Sequence, residues 1–232
     1  MVDRQCSLRN LVNKGKWSSD LWEGDSAQAS GIESSGSDKA DWVDLFVFSG
    51  HGPYDATDGS GTMHFRTNHT GEQALACNVQ HSECSWGQGD CEFVVDYSCN
   101  FLNDCNDTTV LNSIKMMCQG VHMVCGFSNR MRVYPQGATF GCYLMGYNRW
   151  KREERKTPKT VKQAWFDSTD DWQDRIDGDA VIATVVCHTS TEGDYMPGNW
   201  KWSSGCGMAS DPPPCTSSNL SSYVRRNHAS TK

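Results

Sequence analysis

The sequence predicts an α/β domain with a mainly parallel sheet and helices on both of its faces. Apolar runs of strand length alternate with segments of helical periodicity, the pattern of a sheet wound with crossover helices. Several runs are nearly continuous, as strands buried on both faces require. The 232 residues form one compositional block, without a repeat of solenoid period and long enough to bury a sizeable core.

Residues 1–40 are polar and rich in Ser, Gly and Asp, and read as an N-terminal extension. Trp17, Leu21 and Trp22 can anchor it, and Ala27 to Lys39 reads as a loop. The first strand is placed at 42–48, with a short extended piece at Thr62–Arg66 and irregular chain over 67–90. The second strand is 92–97. A helix follows Cys99, capped by Asn106 or Asp107, because Val110, Leu111, Ile114, Met117 and Cys118 fall on one face and Gly120 is placed to end it. A third strand runs from Val121 to Phe127. Further helices are predicted from Ala138 to about Lys156, stopping before Pro158, and around Val161 to Trp172. The last strand is Ala180 to Cys187. Residues 191–232, with Asp211-Pro212-Pro213-Pro214 and a Ser-rich end, read as a wrapping loop and a mobile tail.

The net charge of −7 and the pI near 5.4 argue against a nucleic-acid binder. The basic run from Arg149 to Lys162 includes Glu153 and Glu154 and reads as a solvated helix end. No apolar stretch is long enough to span a membrane, so no membrane partner is expected. The first thirty residues lack the apolar core of a signal peptide. Twelve cysteines are many for a reducing compartment and permit disulfides. The triplets beginning at Asn68, Asn106 and Asn219 fit the N-glycosylation pattern, so the compartment stays open.

Two strand ends carry the chemistry. Val43-Asp44-Leu45-Phe46-Val47-Phe48 leads into Ser49-Gly50-His51-Gly52, and Phe93-Val94-Val95-Asp96-Tyr97 leads into Ser98-Cys99. A cysteine nucleophile needs a neighbouring base, close in space rather than in sequence. Adjacent parallel strands would bring His51 and Cys99 to one sheet edge, where open α/β sheets place their ligand sites. His51 would activate the thiol or protonate a leaving amine. The backbone N–H groups of Gly52 and Cys99 would form an oxyanion hole, and a helix starting just after Cys99 would turn its positive N-terminal dipole toward a thiolate. His188, after the last strand, is the best alternative imidazole.

This pair resembles the histidine and cysteine of the caspase-like cysteine peptidases, among them caspases, metacaspases, legumain and gingipains. In that group a strand ends in His-Gly and the next core strand ends in the nucleophilic Cys. The 48 positions between His51 and Cys99 are similar to the caspase spacing, and Ser49-Gly50-His51-Gly52 reads much like the metacaspase version. Val121 to Ser128 resembles the strand carrying the substrate-pocket loop. Gly137-Ala138-Thr139-Phe140 resembles the start of the helix after that loop, and Ala180–Cys187 the strand beyond. The match covers roughly residues 41–190, as an order of elements. It implies one caspase-like three-layer sandwich over residues 1–232. It also implies a cysteine peptidase or peptide acyl-transferase working through a thioester on a peptide or protein substrate, with no cofactor.

The chain departs from that group around the nucleophile, which reads Tyr97-Ser98-Cys99-Asn100-Phe101 instead of the caspase signature. Legumain and metacaspases carry an acidic residue two positions before the Cys; Tyr97 stands there, in the substrate-binding position. Arg130 and Arg132 occupy the loop where caspases bind aspartate. They can hold a carboxylate bidentately or can be solvated loop arginines. The alternative function is a disulfide-rich binding domain that keeps the fold without catalysis, or the same fold recruited to other chemistry on a small substrate. Cys77, His81, Cys84 and Cys91 have a spacing that could supply zinc ligands, but it matches no standard finger, and disulfides account for these cysteines as well. His64 and His69 could line the cleft. The tryptophan pairs at 17/22, 165/172 and 200/202 read as anchors.

Overall fold

The described residues form nine strands and three helices. The computed structural model describes residue 32 and residues 39–52, 61–65, 78–103, 108–132, 135–148, 153–154, 158–173, 179–196 and 209–227. Trp17, Leu21, Trp22, Asn68, His69, Cys77, Asn106, Asp107, Trp200 and Trp202 lie outside the described residues. The strands are β1 (Leu45–Ser49), β2 (Thr62–His64), β3 (Asn78–Gln80), β4 (Phe93–Tyr97), β5 (Met123–Phe127), β6 (Tyr147–Asn148), β7 (Glu153–Glu154), β8 (Val181–His188) and β9 (Leu220–Asn227). The helices are α1 (Thr108–Met117), α2 (Gln136–Leu144) and α3 (Val161–Trp172).

The main sheet has the order β1-β4-β5-β8-β9. Its first three strands are parallel, as β1 pairs β4 and β4 pairs β5. β8 and β9 run antiparallel to their neighbours, so the sheet is mixed and not mainly parallel. The strands are short and branched-apolar, and alternate residues feed two cores. On one face Val94, Val124 and Val186 pack with Val110, Ile114 and Met117 of α1 and with Trp86 and Phe101. On the other, Val95, Cys125 and Val185 pack with Phe140 and Leu144 of α2 and with Val161, Ala164 and Trp165 of α3. Three layers result, with helices on both faces. Trp165 is the centrepiece of the second core, its ring centroid 5.2 Å from that of Tyr97 and 5.0 Å from that of Phe127. Among the described residues, no helix is long and apolar enough to cross a membrane.

The element boundaries also diverge from the sequence reading, and the span 67–90 read as irregular contains β3. The first strand begins at Leu45 because residues 39–42 form a 3-10 turn that leaves Trp42 exposed. The helix expected to reach Lys156 ends at Leu144, because Gly146 takes a left-handed φ of 61° and the chain turns into the β6–β7 pair. The segment read as a wrapping loop and tail contributes β9, an edge strand with alternating exposure. Polar residues outnumber apolar ones in Leu220–Asn227, so no apolar run marked it. It is fastened instead by Arg225, which bonds Asp167 at 3.1 Å and Asp170 at 2.7 Å and lies over the Phe166 ring.

Helix α3 occupies its predicted span, and Thr160 caps it by accepting a hydrogen bond from the Gln163 N–H at 3.2 Å. Thr160→Ala should lower stability by about 1 kcal/mol, read from the urea midpoint at constant m-value.

Candidate active site

The register of β1 on β4 sets the site. Ser49 lies opposite Tyr97 in a parallel pair, so continuing both chains two residues brings His51 level with Cys99. Each sits at the C-terminal end of its strand, on the sheet edge that its parallel partners share. A cleft of about 560 Å³ opens there, lined by His51, Gly52, His64, Cys99 and Asn100, with Arg130, Met131 and Arg132 completing it. The structure thus gathers His51, Gly52, Cys99, Arg130 and Arg132 around one opening. Cys99 is partly exposed and its thiol is free. The Met131 N–H donates to Cys99 Sγ at 3.4 Å, a contact suited to negative charge on sulfur, and the thiol reaches the Met131 carbonyl at 3.7 Å.

Gly52 is pressed against the backbone of Cys99. A Cβ there would lie 2.2 Å from the Cys99 carbonyl oxygen and 2.5 Å from Ser98 Oγ. Only glycine fits this approach, which holds the two oxyanion-hole candidates next to each other. Gly52→Ala should therefore destabilise the fold by about 2–3 kcal/mol, whereas Gly193→Ala, with nothing within 4 Å, should fall within about 0.5 kcal/mol of wild type in the same denaturant titration.

Asn100 makes the turn after Cys99. It holds φ at 60°, a conformation Asn tolerates better than most residues, and its N–H donates to the Asn129 carbonyl at 3.1 Å. Its side-chain amide reaches the Gly52 carbonyl at 3.4 Å. Residues 98–103 are turns and α1 begins only at Thr108. The helix dipole expected at Cys99 is therefore not next to it, since that field fades within a turn.

The loop carrying the arginines is tied down from below. Gln173 accepts from the Arg132 N–H at 3.1 Å and donates to the Arg132 carbonyl at 3.0 Å. The same amide donates to buried Gln136 at 2.9 Å, and Gln136 donates to Thr169 at 2.7 Å. This buried amide chain links the loop to α2 and α3 while leaving both arginines exposed. Both line the cleft.

Several other residues fall differently. Tyr97 packs on Trp165 and its hydroxyl is buried, so it does not contribute to the cleft lining. Burial holds that phenol well above its ordinary range. His188 ends β8, which runs antiparallel to β5, and pairs with Leu220 at the opposite sheet edge. It cannot replace His51. His64 lines the cleft, and its backbone N–H donates to the His51 carbonyl at 2.9 Å. Of the cysteine and histidine set considered for zinc, His81 is buried and bonds the Phe101 carbonyl through Nε2, and Cys91 donates to the Phe93 carbonyl at 3.7 Å. Among the described residues, no group of three or more His, Cys, Asp or Glu side chains is disposed to hold a metal ion.

Sequence reasoning did not single out Asp96. Its side chain is wholly buried on the strand that delivers Cys99, level with Phe48 of β1. Burial pushes its carboxyl up to about 8, with only a partial offset from Ser98. No hydrogen bond of ordinary geometry reaches either oxygen among the described residues. An acidic residue inside an apolar strand run was the available signal.

No curated protein and no solved structure matches the chain. One family model does, over residues 6–221, and by that match the chain belongs to the family described as "Domain of unknown function (DUF6345)".

Proposed function

We propose that this chain is a cysteine-dependent peptidase or peptide acyl-transferase built on a caspase-like three-layer sandwich. The observation that carries the reading is the β1–β4 register, which brings an imidazole and a free thiol to one level at the mouth of one cleft. Cys99 attacks the carbonyl carbon of a peptide bond while His51 takes up the thiol proton. The tetrahedral oxyanion is met by the N–H groups of Gly52 and Cys99. His51 then gives its proton to the departing amine, and a thioester on Cys99 remains. Water resolves it to an acid; an amine resolves it to a new peptide bond. Arg130 and Arg132 give the cleft a preference for substrates bearing a carboxylate.

The test is labelling of the full chain with a panel of peptides carrying a carbon electrophile in place of the cleaved bond. The expected adduct is on Cys99, is lost in Cys99→Ala, is reduced strongly in His51→Ala, and is fastest for peptides with an acidic residue before the electrophile. Adduct spread over several cysteines, or surviving both substitutions, would remove the proposal. Labelling indifferent to peptide charge would remove the role of the arginines alone.

A further inference from the structure

A second thiol site lies at the other end of the molecule. Cys118 follows α1, and Cys215 lies in the segment 209–219 that leads into β9. The Cys215 N–H donates to the Cys118 carbonyl at 2.9 Å, and the two thiols are close enough to shift each other's protonation. A backbone bond of that length sets the two Cα atoms roughly 5–6 Å apart, inside the range a disulfide spans. Cys118 is 1% exposed and Cys215 is 8% exposed. We infer that Cys118 and Cys215 form a redox-labile disulfide that locks the C-terminal segment and β9 onto α1.

The two thiols have unequal roles. Contact with Cys118 lowers the Cys215 thiol below its ordinary range, while the same contact, with burial, raises Cys118. Cys215, also the less deeply buried of the two, is the attacking sulfur. With hydrogen peroxide as oxidant, the Cys215 thiolate attacks one peroxide oxygen, the O–O bond breaks and hydroxide leaves, giving a sulfenic acid. Cys118 then attacks the sulfenic sulfur; the S–S bond forms, the S–O bond breaks, and the Cys118 proton leaves with that oxygen as water. The thiols lose two electrons and two protons in all, and the peroxide is reduced to two waters. A low-molecular-weight disulfide serves equally, leaving as two thiols.

Cys187 is a competitor, since its charge is felt at Cys118 and it in turn feels that of Cys215. Burial raises it to about 12, which makes it a poor nucleophile. Cys99 is remote. Cys187 is level with Met123 at the start of β5, whereas the turn after Cys99 bonds Asn129 beyond the end of that strand. Six residues of strand separate these levels by roughly 20 Å. The disulfide and the free nucleophile can therefore coexist in one chain, and the cysteine-rich composition does not count against catalysis.

The experiment oxidises the reduced full chain with hydrogen peroxide or oxidised glutathione, blocks remaining thiols with an alkylating agent, and maps the digest without reductant. The expected product is the Cys118 peptide joined to the Cys215 peptide. Cys118 and Cys215 both alkylated after oxidation, or Cys215 joined to Cys187, would overturn the inference. Mapping the wild type needs no variant to fold. As a second reading, reductant should lower the melting midpoint of the oxidised wild type and leave that of Cys215→Ser unmoved. A wild-type midpoint indifferent to reductant would overturn the locking role.

Discussion

Cys99→Ala is expected to lower kcat/KM for a cleaved peptide by at least about 10⁴-fold, and His51→Ala by roughly 10³–10⁴-fold, while the double variant is no worse than Cys99→Ala alone. A nucleophile and its base act in one step, so removing either removes that step, and their losses do not multiply. Both side chains lie at the cleft mouth, His51 exposed and Cys99 partly so, outside the two apolar cores. Melting midpoints should accordingly stay close to wild type, which separates a chemical defect from unfolding. Steady-state kinetics of the four proteins on one substrate decides the matter. Losses that multiply would mean that the two residues contribute independently and that no dyad exists.

Asp96→Asn is expected to stabilise the protein at pH 7 by about 4 kcal/mol and to flatten its stability between about pH 4 and pH 7. The carboxyl ionises at its ordinary 3.8 in the unfolded chain and at about 8 in the folded one. Between those values the folded state keeps a proton that the unfolded state has released. Stability from this group is whole below 3.8 and falls as pH rises toward 8, by about 1.4 kcal/mol per unit. Asparagine keeps the shape and cannot ionise, so the loss disappears. Urea titrations of both proteins near pH 4 and pH 7 isolate the effect, since the other carboxylates raised by burial, Glu92 among them, are common to both. An identical pH dependence in the two proteins would show that Asp96 does not carry the shift.

The sequence made most of the fold legible where local and tertiary preferences agree. The runs at 93–97 and 123–127 are apolar because they are buried on both faces, and α3 carries both its cap and its apolar stripe. The direction of β8 was not legible: an apolar run announces burial but not which way its strand points, and its reversal removes His188 from the site. β9 was hidden because an edge strand held by Arg225 and its carboxylates needs little apolar character. In the site, His51, Gly52 and Cys99 stood out because their chemistry is complementary and their strand ends are plain. Asn100, Met131 and the chain of Gln173, Gln136 and Thr169 did not stand out, because their parts are played by backbone groups and amides that any surface loop can contain. Tyr97 was misleading in the opposite way, since a position matched by spacing can turn its side chain into the core.

The fixed offset of β1 against β4 has a consequence for how this site can vary. The hydrogen-bond ladder between two strands sets Ser49 level with Tyr97, two residues before His51 and Cys99, and that pairing does not depend on the length of the chain that joins the strands. Lengthening such a connection is thermodynamically cheap, about 0.6 kcal/mol for each doubling. Slipping either strand by a single residue is not, because it would turn every side chain beyond it to the opposite face. Insertions and deletions between the two motifs should therefore preserve the pair, and its sequence spacing is free to drift among relatives. What must stay constant is the number of residues from each strand to its own reactive end.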